Sequence, residues 1–125
     1  MNRLFVSLGS GFTFLGIALG AFGTHGLRDK ISASSLQIWQ TGVQYHLIHG
    51  LALVLVGILA GQEQTKALRN SGWLMVGGIV IFSGSLYALA ITGIKYLGAI
   101  TPLGGLCFLI AWATLAVSFG RRPQT

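Results

Sequence analysis

The Asp, Glu, Lys and Arg residues of this chain lie in short groups, and the segments between the groups contain none of these charges. The uncharged segments are residues 4–27, 31–62, 70–94 and 96–120. A helix needs about 20 predominantly apolar residues to span the hydrocarbon core of a bilayer. Each segment is long enough, so the sequence predicts four transmembrane helices.

The composition argues against a soluble helical bundle. Of the 125 residues, 53% are hydrophobic and only 8% are charged, whereas roughly a quarter of the residues in soluble domains are charged. Runs such as 51–60 and 75–82 have no polar face. We therefore predict an all-α membrane protein, with four transmembrane helices in a compact antiparallel bundle and both termini on the same side. Residues 1–125 form a single integral membrane domain in this prediction.

The helix bounds follow from the charges and from residues that cap helices. We place the helices near 4–24, 35–60, 71–92 and 99–119. Ser34 or Ser35 is expected to cap the second helix and Ser71 the third, because a side-chain oxygen can accept a free N–H of the first turn.

The distribution of basic residues predicts the orientation. With four spans, the side of the termini carries five cations and the opposite side three; these are Arg3, Lys66, Arg69, Arg121 and Arg122 against Arg28, Lys30 and Lys95. The positive-inside rule then puts both termini in the cytoplasm. The net charge is +6, and we expect the basic residues to set the orientation and to contact anionic lipid head groups. The predicted partner is therefore the lipid bilayer, and no nucleic acid is expected to bind.

Two histidines in the second uncharged segment are the main candidates for a site. His46 and His49 are three residues apart, share a helix face with Trp39, and lie roughly 10 and 15 Å into the membrane from that residue. They could be neutral imidazoles bonded to a neighbouring helix. A quinone or lipid head group could instead contact them. Metal or haem ligation is disfavoured, because two histidines on one helix cannot be opposite axial ligands and no acidic or Cys partner is evident. No metal and no cofactor are predicted.

Depth matching predicts a layer of polar side chains around these histidines. The other members of the layer are Thr13, Ser83, Ser85 and Tyr87. We expect His46 or His49 to point inward, within hydrogen-bond reach of one of them directly or through one bound molecule, because an unpaired imidazole N–H in hydrocarbon costs several kcal/mol. His25 is expected at the interface.

Small residues in the first and third helices predict close packing. Gly16, Gly20 and Gly84 are expected to lie against other helices, since small side chains let helix backbones approach each other in lipid.

Four runs in the sequence resemble a known family. They are GAFGTHGL at 20–27, YHLIH at 45–49, FSGSLY at 82–87 and GAITPLGG at 98–105. In combination they resemble the bacterial domain of unknown function 423 family, which is similar to animal transmembrane protein 256. The resemblance extends from the first helix to Trp112 and implies a multi-helix inner-membrane protein. The family has no established activity, substrate or cofactor, so the resemblance implies none for this chain. Thr24 departs from the Ala that is usual in the family.

Three functional hypotheses follow. The leading one is a small non-enzymatic membrane protein that self-associates or serves as an accessory subunit of a larger membrane complex. The second is a binder of a quinone, a lipid or another small molecule through the second helix. The third is a passive pathway for a small solute. No span contains Asp or Glu, which disfavours coupling to protons or sodium through carboxylates.

Overall fold

In the computed structural model, residues 2–121 are described, and they form four helices joined by short turns, with no strand in that range. The helices are α1 (Arg3–Leu27), α2 (Ala33–Gln62), α3 (Lys66–Thr92) and α4 (Leu97–Gly120). All four are long and apolar enough to cross a membrane. The end of α1 (Gly23–Leu27) and one turn of α3 (Ile79–Ser83) are π-helical. Arg122 lies outside the described residues.

A polar side chain caps the start of each of the first three helices. Asn2, Ser32 and Thr65 accept hydrogen bonds from the backbone N–H groups of Phe5, Ser35 and Leu68, at 3.2, 3.1 and 3.2 Å. The predicted cap of α2 was therefore wrong, because Ser35 is the donor in this motif and Ser32 is the cap. Gly93 ends α3 in the left-handed conformation, at φ 71°, which glycine adopts without steric cost.

The start of α3 and the role of Ser71 differ from the prediction. The helix begins at Lys66, because Thr65 supplies the cap and the charged first turn is still helical outside the apolar segment. Ser71 is fully buried, and its hydroxyl donates to the carbonyl of Ala111 in α4 at 3.3 Å. It joins two helices and caps neither.

Each helix packs antiparallel against its neighbour in sequence: α1 against α2, α2 against α3, and α3 against α4. The backbones of α1 and α2 come close where Gly9 faces Gly50, since a Cβ on Gly9 would lie 2.7 Å from the Gly50 carbonyl oxygen. At the same end, the Asn2 N–H donates to the Gly57 carbonyl at 2.9 Å. This pairing of helices puts the start of α1 and the end of α4 at one end of the bundle.

The three glycines predicted to pack have different surroundings. A Cβ on Gly16 would lie 2.8 Å from Leu47, and one on Gly20 would lie 3.1 Å from Val43. The expectation for Gly84 was wrong, because Gly84 is exposed and nothing lies within 4 Å of its Cβ position. Its neighbours Ser83 and Ser85 are both buried, and this turns Gly84 to the opposite face of α3.

The apolar core lies mainly in the half of the bundle that holds the termini. Leu53, Val56 and Met75 have no exposed surface there. The other half has a smaller cluster around Trp39 and Val43, and the polar side chains discussed next lie between the two regions.

Candidate functional site

His46 forms a hydrogen bond from α2 to α3. Its side chain is 2% exposed, and its Nδ1 atom lies 2.8 Å from the Tyr87 hydroxyl. The Phe12 ring meets it edge to face, with ring centroids 5.9 Å apart. The Nε2 atom is buried and has no hydrogen-bond partner among residues 2–121. The contact with Tyr87 fixes the ring between α1, α2 and α3.

His49 forms a second bridge, from α2 to α4. Its Nδ1 lies 2.8 Å from the Tyr45 carbonyl, and the Trp112 indole N–H donates to its Nε2 at 3.0 Å. A carbonyl only accepts and an indole N–H only donates. The proton therefore sits on Nδ1, and His49 is neutral. Phe108 stacks on the imidazole, with centroids 3.5 Å apart and planes 7° apart.

The other members of the expected polar layer bond elsewhere. Ser83 donates to the Gly42 carbonyl at 2.7 Å, and Thr13 donates to the Gly9 carbonyl of its own helix at 2.8 Å. The Ser85 and Thr101 hydroxyls are 2.6 Å apart, which links α3 to α4. The layer is thus a set of separate hydrogen bonds, which join two helices at Ser83 and Ser85 and stay within α1 at Thr13. It is not one network, and of the four expected partners only Tyr87 forms a hydrogen bond with a histidine.

His25 lies apart from these groups. It is exposed in the last turn of α1, at the end of the bundle opposite the termini. In residues 2–121, no three His, Cys, Asp or Glu side chains come together as a metal site would require.

Sequence reasoning missed Trp112 and Phe108, the two α4 residues that hold His49. One signal was available. Trp112 lies about 22 Å along the helix axis from the start of α4, whereas tryptophans in membrane proteins favour the interfaces. A tryptophan at that depth indicates a polar partner for its N–H.

A groove opens beside His49, between α2 and α4. Both helices pack on α3, and Phe82 of α3 lines the groove between them. The groove has a volume of about 660 Å³. Its lining is apolar and aromatic, apart from one phenol hydroxyl and the paired His49 and Trp112, and comprises Tyr45, Ile48, His49, Phe82, Pro102, Gly105, Leu106, Phe108, Leu109 and Trp112.

The contact between His46 and Tyr87 can be tested by a double-mutant cycle. His46→Leu leaves the Tyr87 hydroxyl unpaired and Tyr87→Phe leaves the His46 Nδ1 unpaired, so the two losses of stability overlap. We expect a coupling energy of about 1 kcal/mol, measured by reversible unfolding in mixed micelles. In the control pair, His46→Leu and Thr101→Val should be additive within about 0.5 kcal/mol. Additive effects of His46→Leu and Tyr87→Phe would contradict the hydrogen bond.

The four membrane-length helices and their contacts define a polytopic integral membrane protein. The family model described as protein of unknown function, DUF423, matches residues 19–105. The chain belongs to this family, which confirms the resemblance drawn from its motifs.

Relatives of similar length are named UPF0382 membrane proteins. The chain is 50% identical over 117 residues to the UPF0382 membrane protein YwdK of Bacillus subtilis (strain 168), covering 93% of this chain and 95% of that protein. It is 44% identical over 116 residues to a UPF0382 membrane protein of Staphylococcus haemolyticus (strain JCSC1435), covering 93% and 94%. No solved structure matches the chain.

Proposed function

We propose that this protein is a non-enzymatic component of the bacterial inner membrane that acts through association of its helices, with a second copy of itself or with a larger membrane complex. The observation that carries the proposal is the outer face of α3. Gly77 and Gly84 lie on this face, and nothing in the described residues comes within 4 Å of either Cβ position.

The outer face of α3 has the spacing of a helix-packing surface. It is formed by residues at intervals of three, four and seven, namely Asn70, Trp73, Gly77, Val80, Gly84 and Ile91. Trp73, Val80 and Ile91 are each about half exposed, at 49%, 59% and 53%. A glycine that faces lipid contributes no side-chain contact. Two glycines seven residues apart, which is about two helical turns, let a second helix approach closely and gain dispersion contacts. The pattern favours a partner helix over lipid.

The positive-inside rule supports an orientation with both termini in the cytoplasm. Arg3, Lys66, Arg69 and Arg121 lie at the end of the bundle that holds the termini. Arg28, Lys30 and Lys95 lie in the turns at the opposite end. The first group faces the cytoplasm in this proposal.

The packing gives less support to a passive solute pathway. A pathway needs polar groups along the whole depth of the bilayer. Leu53, Val56 and Met75 are completely buried in the half of the bundle that holds the termini, and they fill the space a polar line would occupy.

Cross-linking in native membranes tests the association. In a Cys107→Ser background, we expect Val80→Cys to form a disulfide with a second copy, because Val80 lies between Gly77 and Gly84 on the outer face of α3. The product should have twice the 13.2 kDa mass of the chain; any other product mass would identify a different subunit that supplies its own cysteine. Adding Gly77→Ile and Gly84→Ile should reduce the yield several-fold.

Gly11→Ile is the matched control. Gly11 is also exposed with open space around its Cβ position, but it lies on α1, and the yield should not change. A monomer in native membranes, with no cross-link from Val80→Cys, would contradict association through the outer face of α3.

A further inference from the structure

We propose that the groove between α2 and α4 is a binding site for one neutral, planar, membrane-soluble molecule with a ring carbonyl, of the quinone class, held by the Tyr45 hydroxyl. The site goes beyond the association proposed above and lies on a different surface. Phe82 lines the groove and Gly84 lies on the outer face of α3, two residues and about 200° further around the helix.

The size and lining of the groove suit a small ligand. Its volume of about 660 Å³ falls in the range of roughly 300–1,000 Å³ that is usual for small-molecule sites. Four aromatic side chains, Tyr45, Phe82, Phe108 and Trp112, line it. A Cβ on Gly105 would lie 3.8 Å from the Phe82 ring, so the groove has room beside α4.

The Tyr45 hydroxyl is the polar group in this groove that is left to bind a ligand. Tyr45 is 39% exposed, and its hydroxyl has no hydrogen-bond partner in residues 2–121. The Trp112 N–H and both His49 nitrogens are used in their own hydrogen bonds. Tyr45 lies about 18 Å along the helix axis from the start of α2, which places it well inside the hydrocarbon region. An unpaired hydroxyl is unfavourable there, and a ligand carbonyl would accept its hydrogen bond.

The chemistry of the lining selects this class of occupant over a phospholipid. No Asp, Glu, Lys or Arg lines the groove, so nothing there neutralises a charged head group. An acyl chain would fill apolar space but offers the Tyr45 hydroxyl no acceptor. The rings of His49 and Phe108 are buried and stacked on each other. The rings of Tyr45 and Trp112 are 39% and 41% exposed, and they offer the surfaces on which a planar ring can stack.

The probe for the test is decylubiquinone, added to the protein in phosphatidylcholine nanodiscs that hold one copy each. Tryptophan fluorescence should be quenched saturably, and the saturable part should be lost in Trp112→Phe, since Trp39 is buried against α1 and Trp73 lies on the outer face of α3. Single-copy nanodiscs keep this result independent of self-association. Absence of saturable quenching in the unaltered protein would overturn the site.

Two variants test how the ligand is held. Tyr45→Phe removes only the hydroxyl and should weaken decylubiquinone binding about fivefold, the value of one hydrogen bond. Gly105→Leu should fill the groove and abolish saturable binding. Gly11→Leu, the same substitution at an open position on α1, should bind like the unaltered protein. Circular dichroism establishes that each variant is folded.

A second probe separates the competing occupants. Decylbenzene has the same alkyl chain and a planar ring but no carbonyl, and it should compete poorly with decylubiquinone. If decylbenzene competes equally and Tyr45→Phe has no effect, the groove holds hydrocarbon chains and the proposal fails. It also fails if Gly105→Leu binds decylubiquinone as tightly as the unaltered protein.

Discussion

Gly9→Leu is expected to lower the free energy of unfolding by about 3 kcal/mol or more, near the upper end of the cost of overpacking. A Cβ at this position would lie 2.6 Å from the Val54 backbone nitrogen and 2.7 Å from the Gly50 carbonyl oxygen. Backbone atoms cannot rotate away as a side chain can, so α1 and α2 must separate. That separation would pull apart the most extensive interface of α1. Reversible unfolding in mixed micelles measures the change.

Gly11→Leu is the matched control for that experiment. It lies two residues further along the same helix, makes the same change in helix propensity, and has nothing within 4 Å of its Cβ position. We expect a change within about 0.5 kcal/mol, as at an ordinary surface position. Equal losses from the two variants would show that the contact between α1 and α2 at Gly9 is not as close as the structure has it.

His49→Ala is expected to lower the free energy of unfolding by about 3 kcal/mol, and three effects contribute to the loss. It leaves a cavity where the imidazole is 3% exposed. It removes the ring on which Phe108 stacks. It also leaves the Trp112 N–H unpaired inside the hydrocarbon region. Chemical unfolding in micelles measures the loss, and His25→Ala, at an exposed position outside the packed helices, should change stability by less than about 0.5 kcal/mol.

Replacing both partners separates the hydrogen bond from the cavity. Trp112→Phe removes the unpaired donor, so the loss from His49→Ala with Trp112→Phe should fall short of the sum of the single losses by about 1 kcal/mol. A strictly additive double variant would mean that the hydrogen bond between Trp112 and His49 contributes nothing to stability.

The interhelical polar bonds differ in how far the sequence could predict them. That His46 and His49 would share a helix face followed from their spacing alone, because residues three apart are neighbours on a helix. Their depth followed from counting along α2, and it brought Tyr87 into the set of possible partners. The choice of Trp112 for His49 did not follow, because the two residues are 63 positions apart and meet only once α4 has packed on α3.

The sequence by itself determined the class of the protein and the number of its spans. Charged side chains are costly in hydrocarbon, so the groups of charges mark the places where the chain leaves the bilayer, and the segments between them must be helical to satisfy their backbone hydrogen bonds. This reasoning does not depend on how the helices pack. Its error at the start of α3 arose because Lys66 and Arg69 belong to the helix while lying outside its apolar part.

Only the tertiary structure decided which face of each helix is buried. In a soluble helix the apolar stripe marks the core, but these helices are apolar on nearly all sides, so periodicity cannot distinguish lipid from protein. Gly16 and Gly84 look equivalent in the sequence, yet Gly16 packs on Leu47 and Gly84 faces outward. Ser71 likewise looks like a helix cap and is instead a buried link to α4. The rotation of each helix about its axis is fixed by the fit of side chains across all the interfaces at once, and that fit is a property of the assembled bundle.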